Sequence, residues 1–224
     1  MTGRLLALGW LLPGLLLSAS ALAAPRIAII IDDLGYSRQH GQAIVDLPAP
    51  VTCAVIPFSP HARRLAERAS LAGKEVLVHM PMAAQRHQLL DQGGLRDGMD
   101  EPQLLDAVRQ ALSQIPQARG LNNHMGSALT EQQQPMGWLM TELKAHQLFF
   151  VDSRTSSHSV AQQVARQRGQ AIAIGHPYPE TVHYLQQVLP LMQDAGIEVV
   201  PVSTLLSTPA VTTATTGSEA HAGS

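Results

Sequence analysis

The sequence predicts a single α/β domain, built as a barrel-like ring of about seven mainly parallel strands with helices outside it. Two observations lead to this fold class. Short apolar segments of strand length alternate with amphipathic helical patterns along the chain. Aspartate and histidine residues, which can bind metals or transfer protons, follow the ends of several of these apolar segments. An open doubly wound sheet shares both features and is the alternative arrangement.

The first predicted strand is the apolar run at residues 27–31, which leads directly into Asp32 and Asp33. A continuous β-branched run of this kind is typical of a strand that is buried on both faces of a parallel sheet. Two adjacent carboxylates repel each other and are costly to desolvate, so a fold keeps them mainly where a cation or a proton transfer uses them. A simple turn capped by aspartate is the alternative interpretation of the same residues.

The other strands and the helices between them follow from periodicity and from the glycines and prolines that end each segment. The predicted strands cover residues 51–56, 75–79, 119–122, 148–151, 171–174 and 197–202. The predicted helices cover residues 37–46, 61–72, 100–115, 136–143, 160–169 and 182–195. The stretch 83–99 has no periodicity, and a segment of that length inside a compact domain is more often a binding loop than a simple connection.

Both ends of the chain are predicted to lie outside the folded domain, which covers residues 24–206. Residues 1–23 have the layout of a signal peptide, with Arg4, then an apolar core of about thirteen residues, then small residues before the cut. An uncleaved N-terminal anchor is the alternative. Residues 207–224 are small and polar and are predicted to be a disordered tail. We therefore expect an exported, periplasmic protein without a membrane span after cleavage.

Composition excludes several classes of function. The net charge is −2, which gives no reason to expect binding to nucleic acid or to an anionic membrane surface. Cys53 is the single cysteine, so the chain forms no internal disulfide, and its apolar surroundings predict a buried packing residue. No glycine-rich phosphate loop, serine-hydrolase elbow or Cys-x-x-Cys motif is present.

Polar residues capable of chemistry are concentrated at the carboxyl ends of the predicted strands, where α/β folds build their sites. These residues are Asp32, Asp33, His79, His124, Asp152 and His176. Two imidazoles and one carboxylate from different strands form a ligand set that suits zinc, and a second carboxylate beside the ion can act as a general base. Hydrogen-bonded structural histidines are the alternative for each imidazole taken alone.

Five sequence blocks, in order, resemble the divergent polysaccharide deacetylase family, within the wider glycoside hydrolase/deacetylase superfamily. The blocks are residues 31–35 (IDDLG), 79–82 (HMPM), 120–127 (GLNNHMGS), 150–155 (FVDSRT) and 174–181 (IGHPYPET). The resemblance covers about residues 25–206. It implies a distorted (β/α) barrel of about seven strands with outer helices, in agreement with the strand count.

The resemblance also implies roles for the residues at the strand ends. In ordinary polysaccharide deacetylases an Asp-Asp pair supplies the base first and a metal ligand second, which maps onto Asp32 and Asp33. Their second motif has two histidines four residues apart; here His79 is the first, but Ala83 stands at the second position. His124 is the natural replacement ligand.

His176 corresponds to the histidine that acts as general acid in the ordinary family. Within the matched blocks, Asn123, Asp152 and Arg154 are predicted to bind substrate. Adjacent side chains of an extended strand point to opposite sides. Strand geometry therefore predicts, separately from the resemblance, that only one of the two aspartates binds the ion.

These implications predict an exported hydrolase that uses one divalent metal ion, with zinc favoured by the two imidazoles. Its substrate would be the N-acetylated sugars of an envelope polysaccharide, or of a peptidoglycan-type glycan, from which it removes acetyl groups. A non-catalytic domain that binds a glycan or an envelope protein is the alternative, because half of the second motif is missing. A metal hydrolase acting on another ester or amide is a third hypothesis.

Overall fold

The computed structural model describes residues 24–85, 89–153 and 170–206, and within them seven strands form one sheet. The strands are β1 (Arg26–Leu34), β2 (Thr52–Val55), β3 (Val76–Met82), β4 (Gly120–Met125), β5 (Phe149–Val151), β6 (Gln170–Gly175) and β7 (Glu198–Val199). Every pairing is parallel, in the order β5-β4-β3-β2-β1-β6, and β7 pairs with the start of β1. This is the order of a ring opened between β5 and β6, so the predicted barrel-like α/β fold is confirmed and the doubly wound alternative is not.

Helices connect most of the strands. They are α1 (Arg38–Val45), α2 (Ala62–Leu71), α3 (Glu101–Gln114), α4 (Gln133–Ala145), α5 (Pro179–Asp194) and α6 (Val202–Leu206). Side chains cap two of the helix starts: the Ser37 side chain accepts from the His40 amide at the start of α1, and Asp100 forms a capping box with Gln103 at the start of α3.

β1 is buried on both faces, as its apolar run predicts. Ile27, Ile29 and Ile31 belong to the larger core cluster, which includes residues from α1 to α5, whereas Ala28 and Ile30 belong to a second cluster with residues of β2, β3, β5 and α6. Burying an isoleucine side chain contributes about 1.5–3 kcal/mol. The strand that carries the two aspartates is therefore fixed firmly at the centre of the fold.

Several predicted strand boundaries are wrong. β1 and β4 continue past residues 31 and 122 to Leu34 and Met125, so both aspartates and His124 lie within strands. Pro81 does not end β3, which continues to Met82. β2 pairs with β3 only as far as Val78, and beyond that point the loop residue Leu95 lies along the same edge. The Leu95 amide donates to the Pro81 carbonyl, so this contact does not need the amide proton that proline lacks. The seventh strand is shorter than predicted, since Val202 begins α6 instead of ending the strand. The Val202 amide is held by the Thr52 hydroxyl, which favours a helix start there.

Several predictions fall outside the described residues. These are the signal peptide at 1–23, the tail at 207–224, the helix at 160–169 and the substrate-binding role of Arg154. Within the described ranges, no helix combines the length and the apolar character needed to cross a bilayer.

Cys53 lies in β2 and is fully buried, which confirms the prediction of a packing residue. Burial raises the pKa of its thiol to about 12. We expect a thiol reagent to label Cys53 slowly until the protein unfolds, because a buried thiol that keeps its proton is a poor nucleophile. Cys53→Ala should lower the free energy of unfolding by about 1 kcal/mol and leave metal binding unchanged. Rapid labelling of the native protein would contradict this placement.

Candidate metal centre

β1 delivers both carboxylates to one side because the strand is irregular at its carboxyl end. Its pairing with β2 shifts register between Ile31 and Leu34. Asp33 takes a left-handed backbone conformation with φ of 57°, which aspartate tolerates better than most residues. Both carboxylates consequently lie against His79, with Asp32 near one ring nitrogen and Asp33 near the other. The sequence argument that the two side chains point to opposite sides is therefore wrong.

Parallel pairing of β3 with β4 brings the two histidines together. The register places His79 opposite Asn122 and Pro81 opposite His124. The imidazole rings of His79 and His124 are 5.0 Å apart between centroids and nearly perpendicular, at 73°. The neighbouring strand thus carries His124 to the position where a replacement for the missing histidine is needed. Its function as a ligand stays a prediction.

Three potential ligand atoms converge on one point. Asp33 Oδ1 lies 2.8 Å from His124 Nδ1 and 3.1 Å from His79 Nε2, and the two nitrogens lie 3.2 Å apart. These three residues form a group in which each side chain offers one atom suited to a metal ion. Two ligand atoms of a tetrahedral zinc ion are separated by about 3.3 Å when each bond is about 2.0–2.1 Å long. The triangle therefore has nearly the dimensions that a small divalent cation requires.

The hydrogen bonding of Asp33 supports the same interpretation. Its Oδ1 atom is buried, yet no hydrogen bond of acceptable geometry reaches it within the part of the chain that the structure describes. A buried, unpaired acceptor is costly unless an ion or another group satisfies it. Burial raises the pKa of Asp33, but the neighbouring His124 and His79 outweigh this effect, and the net pKa lies well below its usual range. The carboxylate is therefore ionised and suited to bind a cation.

Asp32 has a different environment from its neighbour. It is almost fully buried, its Oδ1 accepts a hydrogen bond of 2.7 Å from Asn122 Nδ2, and it lies 3.7 Å from His79 Nδ1. Burial raises its pKa above the ordinary value, although the charge of His79 and the hydrogen bond from Asn122 act in the opposite direction. A carboxylate with a raised pKa next to a cation site is suited to accept a proton.

His176 follows β6 and approaches the centre from the opposite side of Asp33. Its Nε2 lies 3.7 Å from Asp33 Oδ2, the oxygen that does not face the other two histidines. The side chain is 36% exposed, and its ring lies 6.0 Å from that of the exposed Tyr178. His176 is therefore open to a ligand or to solvent, whereas His79 is not.

The structure adds four residues that sequence reasoning missed. Asn122 links His79 to Asp32, since its Oδ1 lies 2.9 Å from His79 Nδ1 while its Nδ2 donates to Asp32 and to Ser153 Oγ. Asp91 Oδ2 lies 3.6 Å from His124 Nε2, and the Tyr36 hydroxyl donates to Asp91 Oδ1. Asp91 lies in the loop 83–99, so the absence of periodicity was the one signal that pointed to it.

Two of the predicted substrate-binding residues lie in the described part of the chain. Asn123 is buried, and its side chain is occupied by a hydrogen bond to the Met125 carbonyl and by another from the Ser153 amide. This geometry favours a role in holding the ends of β4 and β5 together over contact with substrate. Asp152 is exposed at the end of β5, where a ligand can reach it. Substrate binding by both residues stays a prediction.

Comparison with known proteins now identifies the family. A family model described as divergent polysaccharide deacetylase matches residues 29–169 and 162–206. The chain belongs to the divergent polysaccharide deacetylase family. It is 35% identical to YibQ, an uncharacterized protein of Escherichia coli K12, over 90% of this chain and 73% of that protein.

Solved structures share the fold at lower identity. An uncharacterized protein from Agrobacterium tumefaciens C58 has a TM-score of 0.76 at 21% identity, covering 83% of this chain and 91% of that one. The catalytic domain of a peptidoglycan N-acetylglucosamine deacetylase from Eubacterium rectale has a TM-score of 0.58 at 17% identity, with 84% and 91% covered. A pseudoenzyme of the CE4 family from Bacillus anthracis has a TM-score of 0.56 at 14% identity, with 82% and 66% covered. The fold is therefore shared with one protein described as the catalytic domain of a deacetylase and with another described as a pseudoenzyme.

Proposed function

We propose that this protein is a metal-dependent hydrolase that removes acetyl groups from N-acetylated sugars of an envelope polysaccharide or peptidoglycan-type glycan. The observation that carries the proposal is the convergence of Asp33, His79 and His124, with Asp32 buried beside them. Family membership and the Eubacterium rectale deacetylase with the same fold support the choice of substrate class. Zinc is the proposed ion, since two imidazoles and one carboxylate suit it, although cobalt, nickel and manganese accept the same ligands.

The residues divide the chemistry of amide hydrolysis between them. Asp33, His79 and His124 would hold the ion, which supplies polarisation of the acetyl carbonyl and lowers the pKa of a water molecule. Asp32 accepts the proton of the attacking water, because its raised pKa makes it a stronger base than an exposed aspartate. His176, exposed and on the other side of Asp33, donates a proton to the leaving amine.

The test of this proposal is release of acetate. Purified protein loaded with zinc should release acetate from chitin oligomers or peptidoglycan fragments, and chelation should stop the release until zinc is added back. Oligomers that have already been deacetylated serve as the control substrate. Zinc-loaded protein that releases no acetate from any of these glycans would contradict the proposal.

The second candidate function is a domain that binds a glycan or an envelope protein without turnover. The observation in its favour is Ala83, which stands where the ordinary motif has a second histidine and holds neighbouring loops through its backbone. The Bacillus anthracis pseudoenzyme is a precedent for this fold without activity. Saturable binding of chitin oligomers without acetate release would favour this function.

We also propose that the protein is exported to the periplasm, on the basis of the signal-like pattern at residues 1–23. The mature chain is expected to begin at Ala24 or close to it, and to be recovered outside the cytoplasm. N-terminal sequencing of the protein from fractionated cells measures this directly. A soluble cytoplasmic species that begins at Met1 would contradict the proposal.

A further inference from the structure

The two imidazoles of the candidate metal centre face Asp33 with different ring nitrogens. His79 presents Nε2, at 3.1 Å from Asp33 Oδ1, whereas His124 presents Nδ1, at 2.8 Å. On the other side of each ring, Asn122 Oδ1 lies at hydrogen-bond distance, 2.9 Å from His79 Nδ1, whereas Asp91 Oδ2 lies 3.6 Å from His124 Nε2, an ion-pair contact that is too long for a hydrogen bond. A neutral imidazole that binds a metal carries its one proton on the nitrogen away from the ion.

We propose that Asn122 and Asp91 are positioning residues that hold this proton on His79 Nδ1 and on His124 Nε2. The ion is consequently bound through His79 Nε2 and His124 Nδ1. This inference rests on the metal centre of the proposed function and specifies which nitrogen of each histidine binds. It assigns a role to the loop that carries Asp91, which no motif of the family resemblance covers.

The hydrogen bonds of Asn122 fix the tautomer of His79. The amide nitrogen donates to Asp32 Oδ1 at 2.7 Å and to Ser153 Oγ at 2.8 Å, so only the carbonyl oxygen remains for His79. Rotation of the amide would bring its oxygen against the Asp32 carboxylate, which cannot donate a hydrogen bond while it is ionised. Asn122 is fully buried, so water offers no alternative partner. His79 must therefore donate from Nδ1, which leaves the lone pair of Nε2 facing Asp33.

Asp91 acts on His124 from the loop through its negative charge, which favours a proton on the nearer ring nitrogen, Nε2. Its Oδ1 accepts from the Tyr36 hydroxyl, whose pKa is raised to about 12 by burial and by Asp91, so the hydroxyl keeps its proton. Its Oδ2 is then directed to His124 Nε2. The loop is fastened beside β3 through the buried Leu95, which exchanges backbone hydrogen bonds with Pro81 and Ala83. The Gly94 amide donates to the Asp91 carbonyl, which links Asp91 to this anchored end of the loop.

The experiment measures which nitrogen binds zinc. In zinc-loaded, ¹⁵N-labelled protein, long-range proton–nitrogen correlation spectra should show a metal-bound Nε2 in His79 and a metal-bound Nδ1 in His124. The remaining nitrogen of each ring should carry a proton. Zinc bound through the other nitrogen of either ring would overturn the inference for that histidine.

Variants test whether the outer partners matter for affinity. Asp91→Asn should weaken zinc binding about tenfold or more, as outer partners of metal-binding histidines typically do. Asp97→Asn is the matched control, because Asp97 lies in the same loop but contacts Gln132 and neither histidine. Equal zinc affinity in the two variants would overturn the role of Asp91.

Two substitutions test whether the Asn122 oxygen matters for zinc binding. Asn122→Leu removes the partner of His79 and should weaken zinc binding about tenfold. Ser153→Ala removes a different partner of Asn122 but leaves its oxygen in place for His79, and it should bind zinc within a few-fold of the natural protein. Circular dichroism reports whether each variant folds, and the wild-type spectra decide the tautomer of His79 if the leucine variant does not. If the natural protein binds no zinc, the metal centre itself is absent and the inference falls with it. If zinc binds at this centre through the other ring nitrogens, the inference is refuted while the proposed metal centre stands.

Discussion

His79→Ala is expected to reduce bound zinc from about one ion per chain to almost none. His79 is buried between the two carboxylates, and its Nε2 is one of only three atoms in the described group that face the ion position. Removal of one of three protein ligands from a zinc site leaves too few for tight binding. His124→Ala should have the same effect, since its Nδ1 is the atom closest to Asp33 Oδ1.

The measurement is metal content after dialysis, together with thermal unfolding of each variant. His183→Ala is the matched control, because His183 is exposed on α5, contacts Gln187 and lies outside the group of three ligand residues. We expect the two site variants to stay folded without metal, since the apolar clusters around β1 do not include them. Full zinc content in both His79→Ala and His124→Ala would show that these imidazoles are not ligands.

Acidification should release the metal in the natural protein. Burial lowers the pKa of His124, but its contact with the charged Asp33 outweighs this, so the pKa lies above the ordinary value for an imidazole. A proton therefore competes with the ion for this nitrogen at a higher pH than it would for an isolated histidine. Zinc affinity measured as a function of pH should fall as the pH decreases through the pKa of His124 in the metal-free protein. Constant affinity across that range would contradict binding of zinc by this imidazole.

Asp32→Asn is expected to keep zinc and to lose turnover by a factor of about 10² to 10⁴, the usual contribution of a general base. The amide has nearly the same size as the carboxylate but cannot accept the proton of the attacking water. Asp32 Oδ1 is directed to Asn122 and its carboxylate lies outside the group of three ligand atoms, so the ion should not depend on it.

Asp33→Asn is the informative comparison for this variant. It should lose zinc and, as a consequence, turnover. Zinc content and acetate release measured on both variants separate the base from the ligand. Loss of zinc in Asp32→Asn with retention in Asp33→Asn would mean that the two aspartates have the opposite roles.

Much of this arrangement could be predicted from the sequence because strand ends in a parallel α/β fold lie on one side. Asp33, His79 and His124 are far apart in the chain, yet each lies at or near the carboxyl end of a strand, and the strand order places β1 and β4 on either side of β2 and β3. The apolar runs predict where each strand ends, so the histidines near those ends could be assigned to one side of the fold from the sequence alone.

The remaining features depend on backbone detail that periodicity does not carry. The left-handed conformation of Asp33 and the register shift in β1 reverse the side to which one carboxylate points, and neither changes the hydrophobic pattern. Asn122 lies inside a strand, and its role follows only from the side chains that its amide contacts, which the hydrophobic pattern does not show. Asp91 lies in an irregular loop whose path is set by tertiary contacts through Leu95.

Anomalous diffraction at the zinc edge from crystals of the zinc-loaded protein locates the ion itself. We expect one strong peak at the carboxyl ends of β1, β3 and β4, about 2.0–2.2 Å from Asp33 Oδ1, His79 Nε2 and His124 Nδ1. A peak bound only by surface residues, or no peak despite saturating zinc, would contradict a metal centre at this site.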